Sequence, residues 1–221
     1  MMINEIIFFF HVTLISCTTL LFGKLGKEAL VSYISLLFVV ANIFVIKQIT
    51  LFNWYATSAD AFIIGVSFGI NLLQETWGKE IARKTIWISF ACSAFYMIMA
   101  EFLLGYAPTS ADTTHIHFAH LMSHTLRIVI ASFISYLITQ TADTYLYAFM
   151  RKKTSDKYFV ARNYISMCSS QLFDTILFSF LGLYGIMEHI THIMIVSYMI
   201  KLVAIILTTP FLMYAKKIVR K

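Results

Sequence analysis

Charge is what this chain has least of. Only 13% of its 221 residues are Asp, Glu, Lys or Arg, while 59% are hydrophobic; a soluble domain carries about a quarter charged. A soluble fold would lack the polar surface to cover its core, so the mean hydropathy of +0.78 points to an integral membrane protein. No hydrophilic stretch is long enough to build a domain outside the bilayer. Cysteine is scarce as well. Cys17, Cys92 and Cys168 stand in apolar segments without paired spacing, which excludes a disulfide framework or thiolate metal site and leaves them as small buried side chains. Soluble-fold motifs are missing: no GxGxxG, Walker sequence, CxxC or nucleophile elbow. A net charge of +6 would suggest nucleic acid in a soluble protein. Here the positive residues lie between apolar segments, as membrane orientation requires, and no direct nucleic-acid contact is expected.

What is there is apolar length. Seven spans can be drawn, at 5–22, 30–51, 59–77, 85–105, 123–149, 164–187 and 190–214, where about 20 residues cross a bilayer. Basic residues cluster in every second connection: Lys24 and Lys27; Lys79, Arg83 and Lys84; Arg151, Lys152, Lys153, Lys157 and Arg162; then Lys216, Lys217, Arg220 and Lys221. The connections at 52–58, 106–122 and 188–189 carry no Lys or Arg. The expected fold is therefore an all-α polytopic bundle of seven spans (six at the fewest), with the N-terminus outside and the C-terminus cytoplasmic. Met1 to Glu5 holds no Lys or Arg, so the first span is expected to be retained rather than cleaved as a signal peptide.

Several single residues carry smaller expectations. Asn42 is expected to bridge neighbouring helices, because an amide in hydrocarbon seeks a partner. Lys47 would snorkel from the second span to an interface, next to an aromatic anchor at Asn53-Trp54-Tyr55. Gly65 and Gly69 have the spacing that lets helices approach closely. The imidazoles of His115, His117, His120 and His124 could bind a metal, but no carboxylate accompanies them at HExxH spacing; the favoured reading is an external polar cluster, with His115 and His117 in a loop and no metal.

The informative feature is polarity inside spans. On the sixth, Asn163, Ser166, Ser170 and Asp174 share one broad helical side, extended by Gln171 and Thr175. On the fifth, Ser132, Tyr136, Thr139 and Asp143 form a stripe with Gln140 on its flank. Glu75 lies at the cytoplasmic end of the third span, and Arg127 near the outer end of the fifth. Lys201 sits mid-way along the seventh, where an unpaired ammonium is costly, and is expected to pair with Asp174 or Asp143. Pro210 frees a carbonyl further on. Glu75, Asp143 and Asp174 are expected to face one cavity. Such a set suits a pocket for a small polar solute carried across the bilayer. A membrane-embedded enzyme on a small polar substrate is the second class, but no Ser has a His or Lys base at a recognisable spacing.

The segments Gln74-Glu75-Thr76-Trp77-Gly78-Lys79-Glu80-Ile81-Ala82-Arg83, Arg127-Ile128-Val129-Ile130-Ala131-Ser132, Gln140-Thr141-Ala142-Asp143 and Ser170-Gln171-Leu172-Phe173-Asp174-Thr175, with Arg162-Asn163, resemble the queuosine precursor transporter family, a vitamin-uptake-like group of integral membrane proteins. The likeness runs over about 30–214. It implies an inner-membrane importer of a 7-deazaguanine used for tRNA queuosine, with Glu75, Arg127, Gln140, Asp143, Ser170 and Asp174 at family positions and no cofactor. Gln74 stands where many members carry Asp. Members are also similar to small-molecule-binding subunits of modular vitamin importers, so the chain is expected to act alone or with an energising partner. The cyano and aminomethyl precursors and queuine share one ring edge, and a different nucleobase or vitamin is the alternative cargo. That edge presents adjacent N–H donors for Asp174 or Asp143, and a carbonyl for Gln171, Gln140, Asn163 or Lys201. Tyr136 or Phe173 would stack on the ring.

Overall fold

The computed structural model describes residues 2–45, 47–122, 126–154, 158–185 and 190–219. Helices dominate: α1 (Met2–Leu25), α2 (Lys27–Phe44), α3 (Asp60–Trp77), α4 (Lys79–Gly105), α5 (His115–Met122), α6 (Leu126–Thr154), α7 (Phe159–Phe178) and α8 (Ile190–Val219). A five-residue π-helical turn, Ser179–Leu183, continues α7. Among the described residues, five helices are long and apolar enough to cross a membrane: α1, α2, α4, α7 with its π turn, and α8.

The polarity of the bundle is inverted relative to a soluble protein. Phe10, Leu14, Trp87, Phe95 and Phe102 are exposed, while Arg162, Asn163, Asn71 and Gln171 are fully buried. An apolar exterior around a polar interior is what a lipid solvent selects. This is a multi-pass membrane protein.

Helix α3 is the axis. Fourteen of its eighteen residues are buried, and it touches α1, α2, α4, α6, α7 and α8. A Cβ on Gly65 would stand 2.3 Å from Ile15 Cγ2, and one on Gly69 2.7 Å from Ile34 Cγ1. The glycine pair therefore does what its spacing suggests, letting α1 and α2 press onto α3. Gly23, Leu72 and Val219 meet at one end, so α1, α3 and α8 run in the same direction.

Elsewhere the structure departs from the sequence reading. The second span stops at Phe44, and Gln48–Leu51 pairs antiparallel with Trp54–Thr57 as a hairpin, β1 and β2. Phe52 and Asn53 form its two-residue turn with φ of 51° and 66°, the geometry whose twist suits a tight hairpin. Asn4 Nδ2 donates to the Thr50 carbonyl at 3.0 Å, and the Phe52 N–H to Glu5 Oε1 at 2.9 Å, fastening the start of α1 to it. Lys47 consequently lies exposed beyond α2 instead of inside a span. His115 and His117 are helical, in α5, because Asp112 Oδ1 caps it from the backbone N–H groups of Thr114 and His115 at 2.7 and 3.2 Å. These bonds hold the Asp112 carboxyl below its usual range, the Thr114 hydroxyl contributing most. His124 lies outside the described residues. Cys17 and Cys92 are exposed and Cys168 half-buried, since each sits on an outward helix face where lipid replaces a core.

Candidate functional site

Buried polar side chains from α3, α6 and α7 meet in four successive rungs. Along α3 they start from Glu75, Asn71, Ser67 and Asp60, a rise of about 22 Å at 1.5 Å per residue. Helices α3 and α6 contribute in descending sequence order and α7 in ascending order, so α7 runs against the other two.

The first rung is ionic. Arg162 Nη2 donates to both carboxylate oxygens of Glu75 at 3.0 Å, the Tyr147 hydroxyl donates to Glu75 Oε2 at 2.9 Å, and Arg151 Nε stands 3.7 Å away. Asn163 Nδ2 donates to the Tyr147 hydroxyl at 3.2 Å. Two cations against one buried carboxylate make this end of the column a clamp. The second rung is Asn71, Asp143 and Ser166: the Ser166 hydroxyl donates to Asp143 Oδ1, and the Asn71 side chain lies beside the carboxylate. In the third, Gln140 Nε2 and Gln171 Nε2 both donate to Ser67 Oγ, at 3.1 and 2.8 Å. The fourth joins Asp174 to Ser135 Oγ at 2.7 Å and to Lys201 Nζ of α8 at 2.9 Å, with Lys201 also donating to Thr175 Oγ1 at 3.1 Å. Asp60 stands within electrostatic reach of Lys201 and Asp174.

The end rungs are ion-paired and the middle ones are not. Gln140 Oε1 and Gln171 Oε1 are buried and find no hydrogen-bond partner among the described residues, and in the rung beside them Asn71 and Asp143 have only each other and Ser166. Each such atom costs about 1–3 kcal/mol in a closed interior. Both of these unsatisfied atoms are acceptors.

The site residues expected from sequence distribute over this ladder. Gln140, Asp143 and Gln171 meet in the middle, Glu75 and Asn163 at one end, Asp174 and Lys201 at the other. Glu75, Asp143 and Asp174 do not share one cavity; each faces its own rung, because α3, α6 and α7 are polar along their whole shared seam. Lys201 pairs with Asp174, one of its two expected partners. Gln140 and Gln171 each give one amide N–H to Ser67 and keep an unpartnered oxygen. Ser170 turns back to its own helix and donates to the Met167 carbonyl at 3.2 Å. Tyr136 is buried with one ring face stacked on Phe38, centroids 3.7 Å apart. Phe173 is exposed on the far side of α7 and stacks on nothing in the ladder. The side chain of Arg127 lies outside the described residues. Asn42 bridges three helices as expected, donating to Ser93 Oγ at 3.0 Å and accepting from Ser132 Oγ at 3.1 Å.

Sequence reasoning missed Ser67, Asn71, Asp60 and Tyr147 as members of the ladder. The available signal was helical spacing: 60, 67, 71 and 75 fall on one side of α3. Among the described residues no group of three or more His, Cys, Asp or Glu could hold a metal ion. An apolar groove of about 700 Å³ between Tyr158, Tyr164, Ile165 and Met213 lies on the outer α7–α8 seam. It touches no rung, and in a bilayer such a surface is covered by acyl chains.

Fold and site together define a multi-pass membrane protein with a polar column through a helical bundle. The sequence model of the family described as "Putative vitamin uptake transporter" matches residues 58–215. The chain is also 30% identical over 223 residues to a "Probable queuosine precursor transporter" of Bacillus subtilis (strain 168), covering 99% of this chain and 97% of the relative. No solved structure matches. The chain belongs to this queuosine precursor and vitamin uptake transporter family and is a small-molecule membrane transporter.

Proposed function

We propose that the protein imports a 7-deazaguanine-type queuosine precursor across the cytoplasmic membrane, the inner membrane of the cell, to supply tRNA queuosine. The carrying observation is the pair of unpartnered amide oxygens at Gln140 and Gln171, next to the buried Asn71 and Asp143 side chains that face each other one rung away. A guanine-type ring offers adjacent ring and exocyclic N–H donors beside one carbonyl. In this reading Asp143 Oδ2 and Gln171 Oε1 accept from the donors and Asn71 Nδ2 donates to the carbonyl. Gln140 takes a further ring N–H, and Tyr136 and Ser170 border the ring. Glu75 and Asn163 close the column on the inner side, Lys201 and Asp174 on the outer side, and Arg127 lies toward the outer mouth. The solute passes unchanged, so the protein acts as a carrier and not as an enzyme.

Supplying seven spans requires α3 and α6 to cross as well as the five apolar helices. The shared direction of α1, α3 and α8 supports strict alternation, because odd-numbered spans must run the same way. The basic clusters then place the N-terminus outside and the C-terminus in the cytoplasm.

The test uses cells that can neither make nor import queuosine precursors, supplied with the cyano base, the aminomethyl base or queuine in turn. Expression of this protein is expected to restore queuosine in tRNA with at least one of them. Restoration by none contradicts the proposal.

A further inference from the structure

Resting on that transport reading, we propose that uptake is driven by protons, and that Asp60 is the group that binds the coupling proton. Asp60 is the first residue of α3, is 5% exposed, and its Oδ2 has no hydrogen-bond partner among the described residues. Lys201, also 5% exposed and held by Asp174 and Thr175, lies within electrostatic reach of it on α8, which packs on α3. Lys201 and Asp174 are the charged groups facing Asp60 from α8 and α7. On α1, Glu5 is engaged by the Phe52 N–H and His11 packs its ring on Phe62, centroids 4.5 Å apart. On the hairpin side Lys47 is exposed, joined through its carbonyl to the Ser58 N–H. From α6 the neighbours of this rung are Ser135 and Tyr136, and the facing half of α2 carries Asn42 but no Asp, Glu, Lys, Arg or His.

The charge arithmetic makes the cluster a proton site. Two carboxylates and one ammonium leave one negative charge, which a single proton on Asp60 cancels; a bilayer favours the neutral state. The step is simple association: a proton bonds to a carboxylate oxygen, and no other bond changes. Glu75 at the other end is different, since Arg162 and Arg151 already compensate it.

Protonation also changes what Lys201 holds. Ionised, Asp60 competes with Asp174 for the ammonium and draws α8 toward α3. Protonated, it leaves Lys201 to Asp174 on α7, the pairing the structure shows. Helices α3 and α7 supply Ser67 and Gln171, and Ser67 lies about 10 Å along α3 from Asp60. The proton and the solute therefore act on the same two helices, which is the condition for coupling.

The experiment uses the purified full chain in proteoliposomes with a labelled 7-deazaguanine and an entrapped pH dye. Counterflow exchange without a gradient reads carriage alone. Accumulation against a concentration gradient reads coupling. For the wild type, added base is expected to acidify the lumen, and an inward gradient of one pH unit should concentrate base up to about tenfold at one proton per base. Asp60→Asn should lose both gradient-driven accumulation and the dye signal, and Asp60→Glu should restore them. Wild-type counterflow with no proton signal, or Asp60→Asn still concentrating base, overturns the inference while leaving the carrier reading in place. No counterflow by the wild type overturns both.

Discussion

Arg162 heads the fully buried side chains by size, an unusual place for a guanidinium. It is tolerable because Glu75 meets it with both oxygens, 87 residues away in sequence. Truncating Glu75 takes from the buried Arg162 the carboxylate that it grips, and breaking such a buried pair costs about 3–5 kcal/mol. Glu75→Ala is expected to lower the thermal midpoint in detergent sharply, and Glu75→Ala with Arg162→Ala to lose less than the sum of the two single losses. Additive losses would show that the two residues do not work as a pair. This residue also shows where sequence reading stops. Arg162 looks like one more basic loop residue, since nothing local says that Glu75 will reach it. By contrast the stripe of Tyr136, Thr139 and Asp143, and the face of Asn163, Ser166 and Gln171, follow from helical periodicity alone. What periodicity cannot supply is the opposite wall: Ser67 and Asn71 look like ordinary polar residues in an apolar segment until α3 is placed between α6 and α7.

At the scale of the element, α3 reconciles two demands. It is buried on nearly all sides, so it needs small residues for close neighbours, and it carries one residue of every rung. Its polarity keeps it out of the five helices that length and hydropathy identify, although it is the most enclosed. The hairpin was illegible for a related reason. Past the short polar interruption of Lys47 and Gln48 the chain is largely apolar again through Leu51, as a longer span would be, and the positive φ at Phe52 and Asn53 turns it. Gly65 tests the packing account. Gly65→Ala places a methyl against the branched Ile15 and is expected to destabilise by about 1–3 kcal/mol. Ile15→Ala in the same chain should recover part of that. A neutral Gly65→Ala in thermal unfolding would mean that α1 does not seat on α3 as described.

At the scale of the whole molecule, charge is stacked along the bundle interior instead of spread over a surface. An Arg-clamped carboxylate closes one end, a Lys201–Asp174 ion pair the other, and amides, hydroxyls and the Asp143 carboxylate fill the levels between. Discontinuous or polar helices around a central site are the usual construction of secondary transporters. Lipid meets the aromatic and aliphatic exterior. The account stands on the middle rungs recognising a base through its donor edge. Equilibrium binding of a labelled 7-deazaguanine to the purified wild type, Asp143→Asn and Gln171→Leu measures that directly. The account predicts saturable binding by the wild type. Each variant should weaken it by about tenfold to a hundredfold, the worth of one or two buried hydrogen bonds to a charged or amide group. A base methylated on its donor edge should fail to compete. Variants that bind as tightly as the wild type, or a methylated base that competes equally, would contradict it.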